Sequence, residues 1–275
     1  MSCETQNVDI VFNDTTAQNV KFDDSTALAL TFNDTVNQDI SCAKFTASDP
    51  DYYTDTVVAT LGAGNIVAHY RLDETSGTTA ADASGTLDAT YVNAPTLGAS
   101  TLLAGGSGGG TSVDFDGSND HVSFSGSILF DYIHRTGVFT ASCWVNVDSN
   151  SGIDAVFANT TGSVLPGLAL EVTAGTLTAR FANGSNDFTA STSITFGTTY
   201  HVAITGDGST MRLYLNGSLA DSVAITPVNT AQLRQFSLAA YNDTSRFYDG
   251  TLDEVTFGST AATAANVTAL YNGGT

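Results

Sequence analysis

The chain has 275 residues, enough for one large domain and a small extra one, and a formal net charge of −20 with only 8 Lys and Arg. A duplex-binding surface neutralises phosphates with those residues, so the composition argues against nucleic acid as a direct partner. The acidity has two readings: plain solubility, or a surface that attracts Ca²⁺ or a basic partner.

At the N-terminus, Met1-Ser-Cys-Glu-Thr5 carries neither a basic stretch nor an apolar one, so no export signal is expected. No apolar run reaches the roughly 20 residues of a membrane-spanning helix. The chain is therefore expected to fold in a cytoplasm and to reach the exterior, if at all, on a particle.

Three gapless ten-residue blocks follow, at 11–20 (VFNDTTAQNV), 21–30 (KFDDSTALAL) and 31–40 (TFNDTVNQDI). Phe12, Phe22 and Phe32 recur at the second position, Asp14, Asp24 and Asp34 at the fourth, and Val20, Leu30 and Ile40 at the tenth. Apolar residues alternate at period two and Asn/Asp pairs supply turns, so each block reads as a short strand and a turn. An even repeat keeps the apolar residues on one face, as in a small meander or the rungs of a β-solenoid. That face is too small to be a core alone, so cover by another chain or by copies of itself, as in a homotrimer, is expected. The blocks resemble short β-repeats at the N-termini of tailed-phage virion proteins, which implies an anchoring segment at 1–46 that contacts other virion proteins. Residues 47–64 read as a connector, with a turn at Asp49-Pro50-Asp51.

From Asn65 to Thr275 strand-length runs alternate with turn signals, and Thr, Val, Phe and Tyr are abundant, which predicts an all-β sandwich. The clearest hairpins are Leu168–Val172 with Thr176–Phe181 across Thr173-Ala174-Gly175, and Tyr200–Thr205 with Met211–Leu215 across Gly206–Ser209. Asn216-Gly217 then turns the chain into Ser218–Val223. Cys143, in the apolar run Phe139–Val147, reads as a buried small hydrophobe, and with Cys3 and Cys42 makes no disulfide framework.

Five segments stand in a recognisable order: Ala68–Gly85 (AHYRLDETSGTTAADASG), Val113–Phe124 (VDFDGSNDHVSF), Phe139–Asp148, Tyr200–Gly217, and Tyr248–Phe257 followed by Ala262–Asn272. Together they resemble laminin-G-like, concanavalin-A-like jelly rolls, which implies a jelly-roll β-sandwich used for recognition. In Thr251–Phe257 strict alternation puts Asp253 on the face of Val255 and Phe257, where a carboxylate must be paired, hydrogen-bonded or metal-bound. Thr263 can cap a closing helix whose Val267, Leu270 and Tyr271 face the sandwich. Asn266 stands where a capping box carries an acidic residue, so the box is expected to be lost and the helix to fray.

The strongest candidate site is for Ca²⁺. The turn Asp116-Gly-Ser-Asn119-Asp120 presents hard oxygen ligands, and the resemblance adds Asp82 and Asp253. The competing reading is that Asp and Asn simply shape the turns. Gly105-Gly-Ser-Gly-Gly109 matches a nucleophile-elbow pattern formally but lies in a glycine-serine loop, without the strand–turn–helix context the motif needs. His69, His121, His134 and His201 show no metal spacing. A glycosidase needs two carboxylates about 5–10 Å apart across a cleft, and the four glutamates form no such strand pattern, so no enzyme is expected. A glycan would be met by exposed aromatics, for which Trp144, Tyr241, Phe247 and Tyr248 are the candidates, with rim packing as the alternative.

Three functions remain. The first is a virion structural protein, decorating a capsid or forming part of a fibre or tail, that stabilises the particle or adheres to host-surface glycans. The second is a carbohydrate-binding module of a bacterial surface or secreted protein. The third is a glycoside hydrolase or lyase.

Overall fold

A computed structural model describes residues 52–273 apart from 86, 104–109, 125–129, 150–151, 160–164 and 230–235. The ten-residue repeat, its Phe12, Phe22, Phe32, Val20, Leu30 and Ile40, and the 105–109 glycine run lie outside the described residues. Helix α1 (Tyr52–Leu61) opens the described chain, and a short 3-10 turn (Ala63–Asn65) leads out of it. Strands β1 (Ile66–Tyr70), β2 (Thr79–Ala80), β3 (Ala89–Val92), β4 (Thr96–Ser100), β5 (Thr111–Asp116) and β6 (His121–Ser123) precede helix α2 (Asp131–Thr136). Next come β7 (Val138–Val147), β8 (Ile153–Ala158), β9 (Gly167–Thr173), β10 (Thr176–Ala182), β11 (Asp187–Ser193) and β12 (Thr199–Asp207). Then follow β13 (Thr210–Leu215), β14 (Ser218–Ala224), β15 (Ser237–Leu238), β16 (Asp249–Gly258) and helix α3 (Ala264–Gly273).

The strands form two antiparallel eight-stranded sheets. Sheet A runs β14-β13-β12-β7-β16-β5-β4, with β1 also paired to β16, and sheet B runs β11-β10-β9-β8-β15-β6-β3-β2. This is the expected jelly-roll sandwich. The hairpins form where turn chemistry placed them. Ala174 (φ 49°) and Gly175 (φ 75°) join β9 to β10, and Asn216 (φ 48°) and Gly217 (φ 75°) join β13 to β14. Two successive positive φ values match the right-handed twist of the flanking strands, so these tight turns fix the register.

Alternation then fills the space between the sheets. Leu168, Leu170 and Val172 of β9 and Leu177, Ala179 and Phe181 of β10 meet Phe139, Ala141, Cys143 and Val145 of β7 in one core. Its centre is aromatic. Phe236 stacks on Phe130 at 4.2 Å and meets Phe124 and Phe257 edge-on at 5.1 and 5.0 Å, a geometry that aromatic quadrupoles favour. Cys143 is fully buried here, and burial pushes its thiol up, as a small hydrophobe requires.

A second core lies on the outer face of sheet A, and alternation alone did not show it. Tyr53, Val57 and Leu61, one turn apart on α1, and Val267 and Leu270 on α3 cover Trp144, Ala203 and Tyr214 of the sheet. The stretch that read as a connector thus carries a helix that belongs to the sandwich. Gly62 (φ 82°) ends α1 by donating its N–H to the Val58 carbonyl at 2.8 Å. On α3 the capping box is present after all. Asn266 donates its N–H to Thr263 Oγ1 at 3.2 Å, and Asn266 Oδ1 accepts from the Thr263 N–H at 3.2 Å. The shorter amide replaces the expected acid, and its Nδ2 also reaches the Thr60 carbonyl of α1 at 2.8 Å, tying the helices together.

Candidate functional site

Strand β16 runs antiparallel to β5 with Asp249 opposite Asp116, which brings one end of the sandwich together. The β5–β6 turn (Gly117–Asp120), the chain after β7 (Asp148, Ser149) and the start of β16 all meet there. Gly117 donates its N–H to the Tyr248 carbonyl at 3.1 Å, and Asp148 donates to the Asp249 carbonyl at 3.1 Å. Gly117 has φ 69°, and a Cβ on it would lie 2.8 Å from the Asp249 Cβ, so only glycine fits this crossing. Within the turn Asp116 Oδ1 accepts from the Ser118 N–H at 2.8 Å, and the Asn119 carbonyl accepts from Asn93 Nδ2 at 2.9 Å.

This end is therefore acidic, with Asp114, Asp116, Asp120, Asp148 and Asp249 close together. Burial and then the neighbouring Asp116 raise the Asp120 carboxyl above its ordinary value. Burial, then Asp114 and Asp249, raise that of Asp148. Mutual repulsion of carboxylates is the physical condition that a divalent cation relieves. Two rings rim the same end. Phe196 is 40 % exposed beside Gly197, whose N–H bonds the Val147 carbonyl, and half-buried Phe247 lies 5.9 Å from the His121 ring. Phe196 was not read from the sequence, because alternation does not orient its loop, whereas half-buried Phe247 is one of the rings the sequence offers as a contact.

The five residues grouped for calcium do not share one place. Asp116, Asn119 and Asp120 stay together. Asp253 is four residues along β16 from Asp249, about 13 Å at the rise of an extended strand. A bulge at Glu254 (φ 50°) also turns Asp253 to the outer face of sheet A, opposite Trp144, instead of toward Val255 and Phe257. There its Oδ2 accepts from Thr101 Oγ1 and the Leu102 N–H, both at 2.8 Å, so the loop satisfies this buried carboxylate. Asp82 bridges Tyr70, which lies opposite Val255, beyond Asp253 along β16. Its Oδ1 caps the His69 N–H at 2.9 Å and the Ser84 N–H at 3.0 Å. Among the described residues, no three or more His, Cys, Asp and Glu converge as a metal cluster.

Three of the four aromatics named as glycan contacts, Trp144, Tyr241 and Tyr248, are corrected by their burial. Trp144 is 3 % exposed beneath α1 and α3, with Tyr271 stacked on it at 5.8 Å and His201 at 5.2 Å. Tyr248 is in the main core and donates its hydroxyl to the Asn146 carbonyl at 3.0 Å. Tyr241 is 4 % exposed, packed on Ala155, Ala158 and Ala169 on the outer face of sheet B, with the Arg246 guanidinium 4.4 Å above its ring. None offers a free ring face to a sugar.

The family model described as the concanavalin A-like lectin/glucanases superfamily matches residues 116–268. The chain belongs to that superfamily. No curated protein matches the chain. Among solved structures it is similar to domain 4 of an extracellular arabinanase from Geobacillus stearothermophilus, in complex with arabinotriose. There the TM-score is 0.55 at 16 % identity, over 75 % of this chain and 98 % of that one. It is also similar to the botulinum neurotoxin serotype D binding domain (TM-score 0.59, 13 % identity, 77 % of this chain, 52 % of that one). A third is the Trypanosoma rangeli sialidase in complex with sialic acid (TM-score 0.57, 15 % identity, 76 % of this chain, 33 % of that one). The chain thus spans about half of the toxin structure and a third of the sialidase. At these identities the likeness is one of fold, and the neighbours include both binding domains and a hydrolase.

Proposed function

We propose that this chain is a non-catalytic attachment protein of a tailed-phage virion, anchored by its N-terminal repeat and displaying the sandwich toward host-surface glycans. The observation that carries the recognition part is the sealing of one sheet face and the opening of one end. Helices α1 and α3 cover the outer face of sheet A, whereas Asp116, Ser118 and Asn119 of the turn stand exposed at an end that Phe196 and Phe247 rim. Apolar rings beside oxygen-rich turns suit a sugar, which has an apolar face and a hydroxyl rim. The arabinotriose complex of one neighbour supports the same reading. The repeat supports the mounting part, since the apolar face its sequence pattern predicts is too small to be a core alone and calls for a partner.

A glycan array with the intact protein should return binders, and Phe196→Ala should lower their affinity about tenfold with Tm unchanged. Phe196 contributes little to the core, so a fall in Tm together with unchanged affinity would remove this end as the contact surface. The virion part predicts a homotrimer by light scattering and labelling of the particle by an antibody to the chain. A monomer at micromolar concentration would count against it.

Ca²⁺ belongs to the same proposal. Asp116 and Asp120, with Asn119, would hold it, and the ion would relieve the repulsion among these carboxylates. Saturating Ca²⁺ should then raise Tm by several degrees relative to EDTA, with Asp120→Asn abolishing the difference. Identical melts would leave the turn as Asx geometry alone.

A further inference from the structure

The outer face of sheet B carries an arrangement that neither the fold nor the loop end explains. Resting on the glycan reading above, we propose that this face holds a subsite for the carboxylate of an acidic sugar, gripped by Arg246 with Arg180 beside it. Glu171 projects outward from the centre of β9 and is 2 % exposed. It holds two guanidinium groups. Its Oε2 accepts from Arg180 Nε at 3.1 Å and Nη2 at 3.0 Å, and its Oε1 accepts from Arg246 Nη1 at 2.7 Å. Arg180 Nη1 continues to Asp187 at 2.7 Å.

The two arginines differ in what remains to them. Arg180 is fixed on three nitrogens. The Arg246 side chain makes one hydrogen bond to the described residues, through Nη1, and is 34 % exposed. Its Nε–Nη2 edge therefore meets no hydrogen-bond partner among the described residues. That edge is the one that grips a carboxylate with two parallel hydrogen bonds. The plane is held, since the guanidinium lies over the buried Tyr241 ring.

The loop that delivers Arg246 is strained in a way a plain connection is not. Ala239, Asn242, Asp243 and Arg246 all have positive φ, at 59°, 50°, 58° and 53°. Such conformations persist only where the surroundings over-determine them, and they cluster at binding sites. Here Asp243 pins the loop by accepting from Ser123 Oγ at 2.6 Å and Ser237 Oγ at 2.5 Å. A buried ion network is also a poor way to gain stability, because apolar residues of similar size do as well. Its use is to hold two guanidinium groups in one orientation. Two arginines against Glu171 and Asp187 leave the patch neutral on a chain of net charge −20. Attraction from a distance thus gives an acid no advantage, and selection must come from the bidentate contact itself. Thr178, opposite Glu171, and Thr189, opposite Arg180, add hydroxyls on the same face.

The test uses the full-length protein and matched probes. Binding of trigalacturonate is compared with that of its methyl ester, and sialyllactose with lactose, by calorimetry. The acid of at least one pair should bind tenfold or more tightly than its neutral partner. Arg246→Lys, which keeps the charge and loses the fork, should remove that preference. Should Arg246→Lys misfold, Thr178→Phe crowds the same face with the ion network intact and should have the same effect. Equal affinity for acid and neutral partners would overturn the subsite and leave the glycan reading standing. Binding to neither probe, nor to any member of a glycan array, would overturn both.

Discussion

Replacing Trp144 by alanine should destabilise the protein by about 3–5 kcal/mol and leave glycan affinity unchanged in the fraction that stays folded. The indole is 3 % exposed and touches both covering helices as well as the sheet. Its loss leaves a cavity between rigid layers, because the Tyr271 ring stacked on it and the His201 ring beside it are each fixed by their own element. The destabilisation should therefore concentrate at the α1–α3 cover. Denaturant titration should show a lower midpoint, and hydrogen exchange should show both helices opening before sheet B. Trp144→Phe, which keeps a ring in the slot, should cost less than half as much. A variant of native stability with lost glycan affinity would restore Trp144 as a contact residue.

That test bears on what could be read from sequence. Alternation along β7 puts Trp144 on the face opposite Cys143, but alternation reports which face a side chain is on, not what lies above it. The cover was hidden because α1 (YYTDTVVATL) is rich in β-branched residues with modest helix propensity. It is helical because Tyr53, Val57 and Leu61 recur every four residues and find a sheet to pack on, a tertiary cause. The hairpins were legible for the opposite reason: Ala174-Gly175 and Asn216-Gly217 set their own backbone. Asp253 was assigned the wrong face because one bulge residue, Glu254, reverses parity for everything before it in the strand. The Asp116–Asp120 turn was visible as a contiguous motif. The Glu171–Arg180–Arg246 network was not, since its third member comes from a loop far along the chain. One signal was available: Glu171 is the lone charge in the apolar run LALEV, and Arg180 shares its face across the β9–β10 hairpin.

The same cover predicts a strong acid sensitivity centred on His201. Its imidazole is fully buried between Tyr53 of α1, Trp144 of β7 and Tyr271 of α3, and burial holds it down to about 3. In the unfolded chain the same group titrates near 6.5. Below pH 6.5 the unfolded state therefore takes up a proton that the folded state refuses. The stability carried by the neutral ring is fully present above 6.5 and is lost as pH falls toward the folded value. Each pH unit is worth about 1.4 kcal/mol, so the loss by pH 4.5 is about 3 kcal/mol. Asp253, on the same face, acts in the opposite sense: burial and then Glu254 raise its carboxyl, so its contribution grows as pH falls. The whole-protein curve is thus a sum, and a variant isolates the histidine. His201→Phe keeps a flat ring and removes the proton site. It should match the parent within about 1 kcal/mol at pH 7 and be the more stable of the two at pH 4.5. Parallel stability curves for parent and variant from pH 7 to 4.5 would show that the ring accepts its proton without disturbing the cover.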